Sequence, residues 1–210
     1  MNNLEAISES IRAALEAKHA AREKILNESR GVVRLCANTI RATHRREWSE
    51  AEKMLTAARA ALESMLETAR PHPDLYHAGY TQDSAKEFVE AAITFALIRD
   101  QELPTLETLR AEPSTYLNGL CEAASELRRY ILDLLRADEY DQAGRLLDKI
   151  DQVYDTLVTF DYPDAVSGGL RHRADSLRGV LERTRGDFTM SLRQKRLQDA
   201  LARAEKRIEG

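Results

Sequence analysis

From near Leu4 to about Arg46 the chain repeats its apolar residues at helical spacing without a break. A helix of about 40 residues is about 60 Å long at 1.5 Å per residue. A compact fold of 210 residues has no use for a rod of that length inside itself. The first helix must therefore run past its own core or lie against a partner, and an oligomer is expected.

Proline and glycine mark the later boundaries. A second helix is predicted over Trp48 to Ala69, stopped by Pro71 and Pro73. A third runs from about Thr81 to Asp100, and Pro104 opens a short one that ends near Arg110. Pro113-Ser114 introduces a long helix to about Ala137. Another spans Glu139 to Phe160 and ends at Tyr162-Pro163. The last follows Gly168-Gly169 and extends towards the C-terminus. Charged residues make up 31% of the chain and no apolar–polar alternation is long enough for a strand. The expected architecture is all-α: one bundle domain of about seven helices over residues 1–210, with 191–210 as a helical extension.

Charge and cysteine usage narrow the functional classes. A net charge of −4 leaves no overall basic surface, although local patches matter more than the total for nucleic acid. Cys36 and Cys121 lack metal-type spacing and read as buried thiols of a reducing compartment. No signal peptide opens the chain, and no apolar run nears the roughly 20 residues that span a bilayer. A cytoplasmic protein without a membrane partner is expected.

Between Arg30 and Arg46 lie five arginines and no acid. Arg30, Arg34, Arg41 and Arg45 are spaced four, seven and four apart, which puts them in a helical sector of roughly 60°. Val32, Val33, Leu35, Cys36, Thr39 and Ile40 are expected to face the other way. A guanidinium ribbon of that kind can grip successive phosphates of a nucleic-acid backbone. The alternative is a solvated face paired with nearby acids such as Glu47, Glu50 and Glu52.

Two carboxylate pairs stand out. Glu87 and Glu90 are three apart at the start of a helix that is apolar almost all round from Phe88 onward. Glu122 and Glu126 are four apart on the long helix after Pro113. If the two helices pack antiparallel, the pairs come level to within about one turn. Four converging carboxylates repel one another unless a cation lies between them. Hard oxygen ligands favour Mg²⁺ or Mn²⁺, and such an ion suits phosphodiester cleavage. The alternative is structural pairing, Glu126 with Arg129 and Glu122 with a neighbouring helix. The Glu-x-x-His pairs of di-iron bundles are missing, which argues against redox iron.

The runs Lys86-Glu87-Phe88-Val89-Glu90-Ala91, Tyr116-Leu117-x-Gly119 and Ser125-Glu126-Leu127 resemble the two central motifs of the translin family. Tyr162-Pro163, Leu170-Arg171 and Gly179-Val180-Leu181-Glu182 resemble its C-terminal region, so the likeness covers about residues 25–190 in order. It implies binding of single-stranded RNA, or of single-stranded DNA, and a homo-oligomeric shell of six or eight subunits. Glu87, Glu90, Glu122 and Glu126 fall on the acid positions of the catalytic translin-associated factor X branch, a Mg²⁺-dependent endoribonuclease. The third acid of that branch is typically Asp, so Glu122 departs from the pattern by one methylene. His77 stands in the connector before the third helix, either near the scissile phosphate or as an ordinary loop residue. The other readings are a non-catalytic single-strand-binding scaffold and a helical adaptor that binds only protein.

Overall fold

The structure, a computed structural model, describes residues 3–208. It is helical throughout, with no strand among the described residues. The elements are α1 (Leu4–His44), α2 (Trp48–Ala69), α3 (Pro73–Tyr76), α4 (Gly79–Ile98) and α5 (Leu106–Leu109). They continue with α6 (Pro113–Arg136), α7 (Tyr140–Leu157), α8 (Asp164–Ser167) and α9 (Leu170–Ile208). The seven long or short helices expected from the pattern are all present. α3 and α8 are single turns inside the connectors that Pro73 and Pro163 announce.

α4 is the centre of the bundle. Every residue from Ala91 to Ile98 is buried, as its all-round apolar sequence requires. α1 and α6 flank it, α2 closes one side, and α7 and α9 pack on α6. One apolar cluster joins Ile25, Val32 and Cys36 of α1 to Phe88 and Ile93 of α4, Leu127 and Ile131 of α6, and Leu177 of α9.

α4 and α6 run parallel, not antiparallel as the sequence suggested. Gln82 accepts from Thr115 and Lys86 reaches Glu122, so partner numbers rise together along both helices. The connector explains it. Residues 99–112 can span up to about 46 Å when extended, enough to travel back along the roughly 30 Å of α4. They do so against α2, where Arg59 donates to the Thr108 carbonyl and Arg110 pairs with Glu63. Tyr116 then fastens the start of α6 to the Pro104 carbonyl.

The α4–α6 seam is tight because residue 119 is glycine. A Cβ there would lie 2.6 Å from Val89 Cγ1 and 3.0 Å from the Lys86 carbonyl oxygen. At its far end the bundle is pinned by Arg46, in the left-handed conformation at φ 59°. That strained position is held by hydrogen bonds from Arg46 to Tyr130 Oη and to both Glu139 oxygens.

α1 has no buried residue before Ile25, and α9 has none after Thr184, among the described residues. Leu4, Ile7, Ile11 and Leu15 form an exposed apolar line on the overhang of α1. Met190, Leu197, Leu201 and Ile208 are exposed on α9. No helix among the described residues is long and apolar enough to cross a membrane.

Candidate metal centre

Parallel packing still brings the two carboxylate pairs level. Gln82 meets Thr115 and the Lys86 carbonyl meets Gly119, an offset of 33, so Glu122 falls level with the Glu87–Glu90 turn and Glu126 one turn beyond it. Glu87, Glu90 and Glu122 each offer a carboxylate oxygen within 4.8 Å of the other two. Glu126 stands one turn further along α6, outside that trio, with Oε1 3.5 Å from His44 Nε2 of α1. Glu122 is thus one of the three converging acids despite its extra methylene.

The trio sits in a half-buried trough. Burial drives the Glu90 carboxyl up to about 8, and Glu87, Glu122 and Glu126 add to the shift while Lys86 opposes it. Glu87 is raised by burial, against the pull of Lys86 and with help from Glu122 and Asp83. Glu126 is raised by burial against Arg129. Three oxygen donors held this close and unwilling to ionise together are a donor set for a hard divalent cation. Octahedral Mg²⁺ wants oxygens at about 2.1 Å, so neighbouring ligands lie about 3 Å apart, inside the 4.8 Å that bounds the trio.

Two cations occupy the same trough. Lys86 Nζ is 2.9 Å from Glu122 Oε1 and 3.8 Å from Glu87 Oε1. Arg173 Nε is 3.0 Å from Glu122 Oε1, and its Nη1 donates to Asn118 Oδ1 and to the Gly168 carbonyl. The expected pairing of Glu122 with a neighbouring helix is therefore present as well. Lys86 and Arg173 also line a groove of about 330 Å³, with Gln82, Asn118 and His77, that opens beside the acids. His77 is exposed there, edge-on to Tyr76.

α1 forms the opposite wall. Cys36 is buried against α4, and burial, with Glu87 and Glu90 behind it, pushes its thiol up to about 12. Burial does the same to Cys121. Both thiols are free and buried, as expected. His44 is enclosed, its side chain 6% exposed, and neither ring nitrogen has a hydrogen-bond partner. Burial, with Arg129 adding to it and Asp133 opposing, lowers its pKa to about 4. Leaving such polar atoms unmet costs about 1–3 kcal/mol each.

With this geometry in view, the known proteins can be compared. No family model matches the chain. An uncharacterized protein of Methanocaldococcus jannaschii is 29% identical over 189 residues, which is 90% of this chain and 84% of that protein. The structure of AfC3PO superimposes with a TM-score of 0.81, and that of the AfC3PO–duplex RNA complex with 0.80. Each is 33% identical and matches 87% of this chain and 95% of the other. The chain belongs to the translin family. Apo-NeC3PO shares the fold, with a TM-score of 0.78 at 18% identity over 91% of this chain and 98% of the other.

Within this translin-family fold the arginine line of α1 is exposed, as its spacing required. Val33 is a correction: it is 37% exposed, because it lies about 60° from Arg30 around the helix, on the flank of the arginine sector. The acids near the line divide its members. Arg45 grips Glu47 through two hydrogen bonds, and Arg41 bonds to Asn38. Glu50 pairs with Lys53 and Glu52 with Arg99 instead. Arg30 and Arg34 have no ion pair or side-chain hydrogen bond among the described residues.

Sequence reasoning missed Lys86, Arg173 and His44. Lys86 stood inside the motif that carries Glu87 and Glu90, but a lysine beside a glutamate is ordinary. Arg173 and His44 come from helices 51 and 82 residues away from Glu122 and Glu126, and no local spacing reports such a meeting.

Proposed function

We propose that this chain is a Mg²⁺- or Mn²⁺-dependent endoribonuclease of the catalytic branch of its family. The carrying observation is the convergence of Glu87, Glu90 and Glu122 within 4.8 Å at the α4–α6 seam. Kinship with a protein whose structure holds duplex RNA supports the substrate class. Single-stranded RNA was the expectation from resemblance, and duplex RNA joins it as a substrate to be compared.

In this reading the three glutamates hold the ion, and Glu126 completes the carboxylate set from the next turn of α6. Bound there, the cation supplies Lewis acidity to a phosphodiester. With Glu122 engaged by the ion, Lys86 and Arg173 would offer positive charge to the groove that they line. They then neutralise the non-bridging oxygens of the phosphate lying there. Arg30 and Arg34 meet the backbone further along α1, while Arg41 and Arg45 join by releasing Asn38 and Glu47. The exposed apolar lines on the overhangs of α1 and α9 support a homo-oligomer, with six or eight subunits implied by the family resemblance.

Lys86 and Arg173 also favour a second reading, since they neutralise Glu122 without any ion. That arrangement suits a nucleic-acid-binding scaffold in which the acids are structural. Incubating end-labelled single-stranded and duplex RNA with the protein in Mg²⁺ or in EDTA separates the two. The nuclease yields shortened RNA only in metal and loses that activity in Glu126→Ala while retaining RNA affinity. RNA bound equally in both buffers and never shortened establishes the scaffold.

A further inference from the structure

Each overhang carries an apolar stripe that its own bundle leaves uncovered. On α1, Leu4, Ile7, Ile11 and Ala14 recur at spacings of three, four and three. On α9, Leu197, Leu201, Ala204 and Ile208 recur at four, three and four, with Met190 one heptad earlier. All of them are exposed. Alternating steps of three and four make a coiled-coil seam, which needs a second helix to cover it. The two overhangs leave the bundle at opposite ends. α1 passes Lys18, paired with Asp74 of α3, at the end where α4 and α6 begin. α9 passes Asp187, paired with Arg128, and Phe188, against Gly144 of α7, and leaves at the end where α6 gives way to α7. Neither stripe can cover the other within one chain, so the helix that covers each comes from another copy. Charge decides which stripe meets which. Leu4–Glu16 carries three acids and one arginine, whereas Met190–Ile208 carries six basic residues and two acids. Most of these charges lie off the apolar seams, so they act through the net field of each overhang. Like overhangs repel, α9 on α9 most strongly, and unlike overhangs attract.

We propose that the α9 overhang of one copy docks on the α1 overhang of the next, head to tail. This docking rests on the homo-oligomer reading above and names its contact. α9 runs out of one end of its bundle and α1 runs into the other, so in copies stacked end to end the two helices are parallel. Met190–Ile208 is about 28 Å long, enough to cover the roughly 21 Å from Leu4 to Lys18. A contact between two different surfaces closes into a ring when its successive rotations complete a full turn. It also sets the basic tail of one copy at the end of its neighbour where the groove lined by His77, Gly79 and Gly168 opens.

Ile7→Lys with Ile11→Lys breaks the α1 stripe, and Leu197→Glu with Leu201→Glu breaks the α9 stripe; all four positions are exposed, outside the bundle. Sedimentation velocity of the full chain reads the result. The wild type is expected to assemble, each double variant to be a monomer, and their equimolar mixture to form a dimer and nothing larger. In that dimer the α9 overhang left intact in one variant holds the α1 overhang left intact in the other. Assembly of the α9 variant alone, with the α1 variant monomeric, shows α1 paired with α1 and overturns the proposal. The converse shows α9 paired with α9 and overturns it too. So do two variants that stay monomers when mixed, at the highest concentration that keeps each a monomer alone. Both variants assembled like the wild type overturn the docking and leave the homo-oligomer reading standing. A monomeric wild type overturns both.

Discussion

Glu90→Gln should make the metal-free protein more stable at alkaline pH. The Glu90 carboxyl titrates at about 8 in the folded chain, against 4.5 for an ordinary glutamate, chiefly because it is buried. A folded-state pKa raised above the unfolded value gives stability that is complete below about pH 4.5 and is lost as pH rises through 8. At about 1.36 kcal/mol per unit, the difference of 3.5 units sets a ceiling of about 5 kcal/mol on the penalty of ionising Glu90. Glutamine removes that penalty but leaves an amide in the same trough, which costs about 1–3 kcal/mol if unbonded. The net expectation is a gain of about 2–4 kcal/mol at pH 9 and a small loss at pH 5. Urea unfolding in EDTA at pH 5, 7 and 9 reads both. The variant should also lose most of the thermal stabilisation that Mg²⁺ gives the wild type, because a ligand is gone. Equal destabilisation of Glu90→Gln at pH 5 and pH 9 would mean that Glu90 is under no charge stress in the folded chain.

Gly119→Ala places a methyl against Val89 and should destabilise the fold by about 1–3 kcal/mol, and by parting α4 from α6 it should weaken Mn²⁺ binding in calorimetry. Unchanged Mn²⁺ affinity would show that the seam does not set the acid geometry. His44, held down to about 4, works opposite to Glu90: stability should rise with pH between 4 and 6.5 by up to about 3 kcal/mol. That rise should be visible in Glu90→Gln and absent once His44→Gln is added. Arg30→Glu with Arg34→Glu should lower RNA affinity and flatten its salt dependence more than the same change at Arg45, which Glu47 already holds. Equal effects at all three positions would show that the pairing at Arg45 does not matter in solution.

Much of the architecture was legible because proline and glycine punctuate it. Pro71 and Pro73, Pro113 and the Gly168-Gly169 pair fall at the ends of long helices. The ends of α1, α4 and α6 are different. Arg46, Asp100 and Asp138 take left-handed conformations there without glycine, held by contacts such as Arg46 with Glu139 and Asp100 with Lys149. The sequence placed these ends to within about two residues, at Arg46, Asp100 and Ala137, but gave no sign of the left-handed turns that close them. The direction of α6 relative to α4 was equally hidden, for a reason specific to this chain. Pairs three and four apart come level to about one turn whether the helices run parallel or antiparallel, so three of the four expected acids meet although the packing is parallel. What placed α6 was a connector long enough to return along α2. The acids were visible because two residues on one helical face declare themselves locally, whereas Lys86, Arg173 and His44 enter only through tertiary contact.

The proposed function requires that the glutamates at the α4–α6 seam do chemistry rather than hold the bundle together. The most direct measurement is the single-turnover cleavage rate of a saturating, end-labelled RNA in Mg²⁺, compared between wild type and Glu90→Gln at equal RNA occupancy. The account predicts cleavage by the wild type and a loss of about 10³-fold or more in the variant, with the RNA dissociation constant within about twofold. A variant that is folded, binds RNA and cuts it at the wild-type rate would contradict the account.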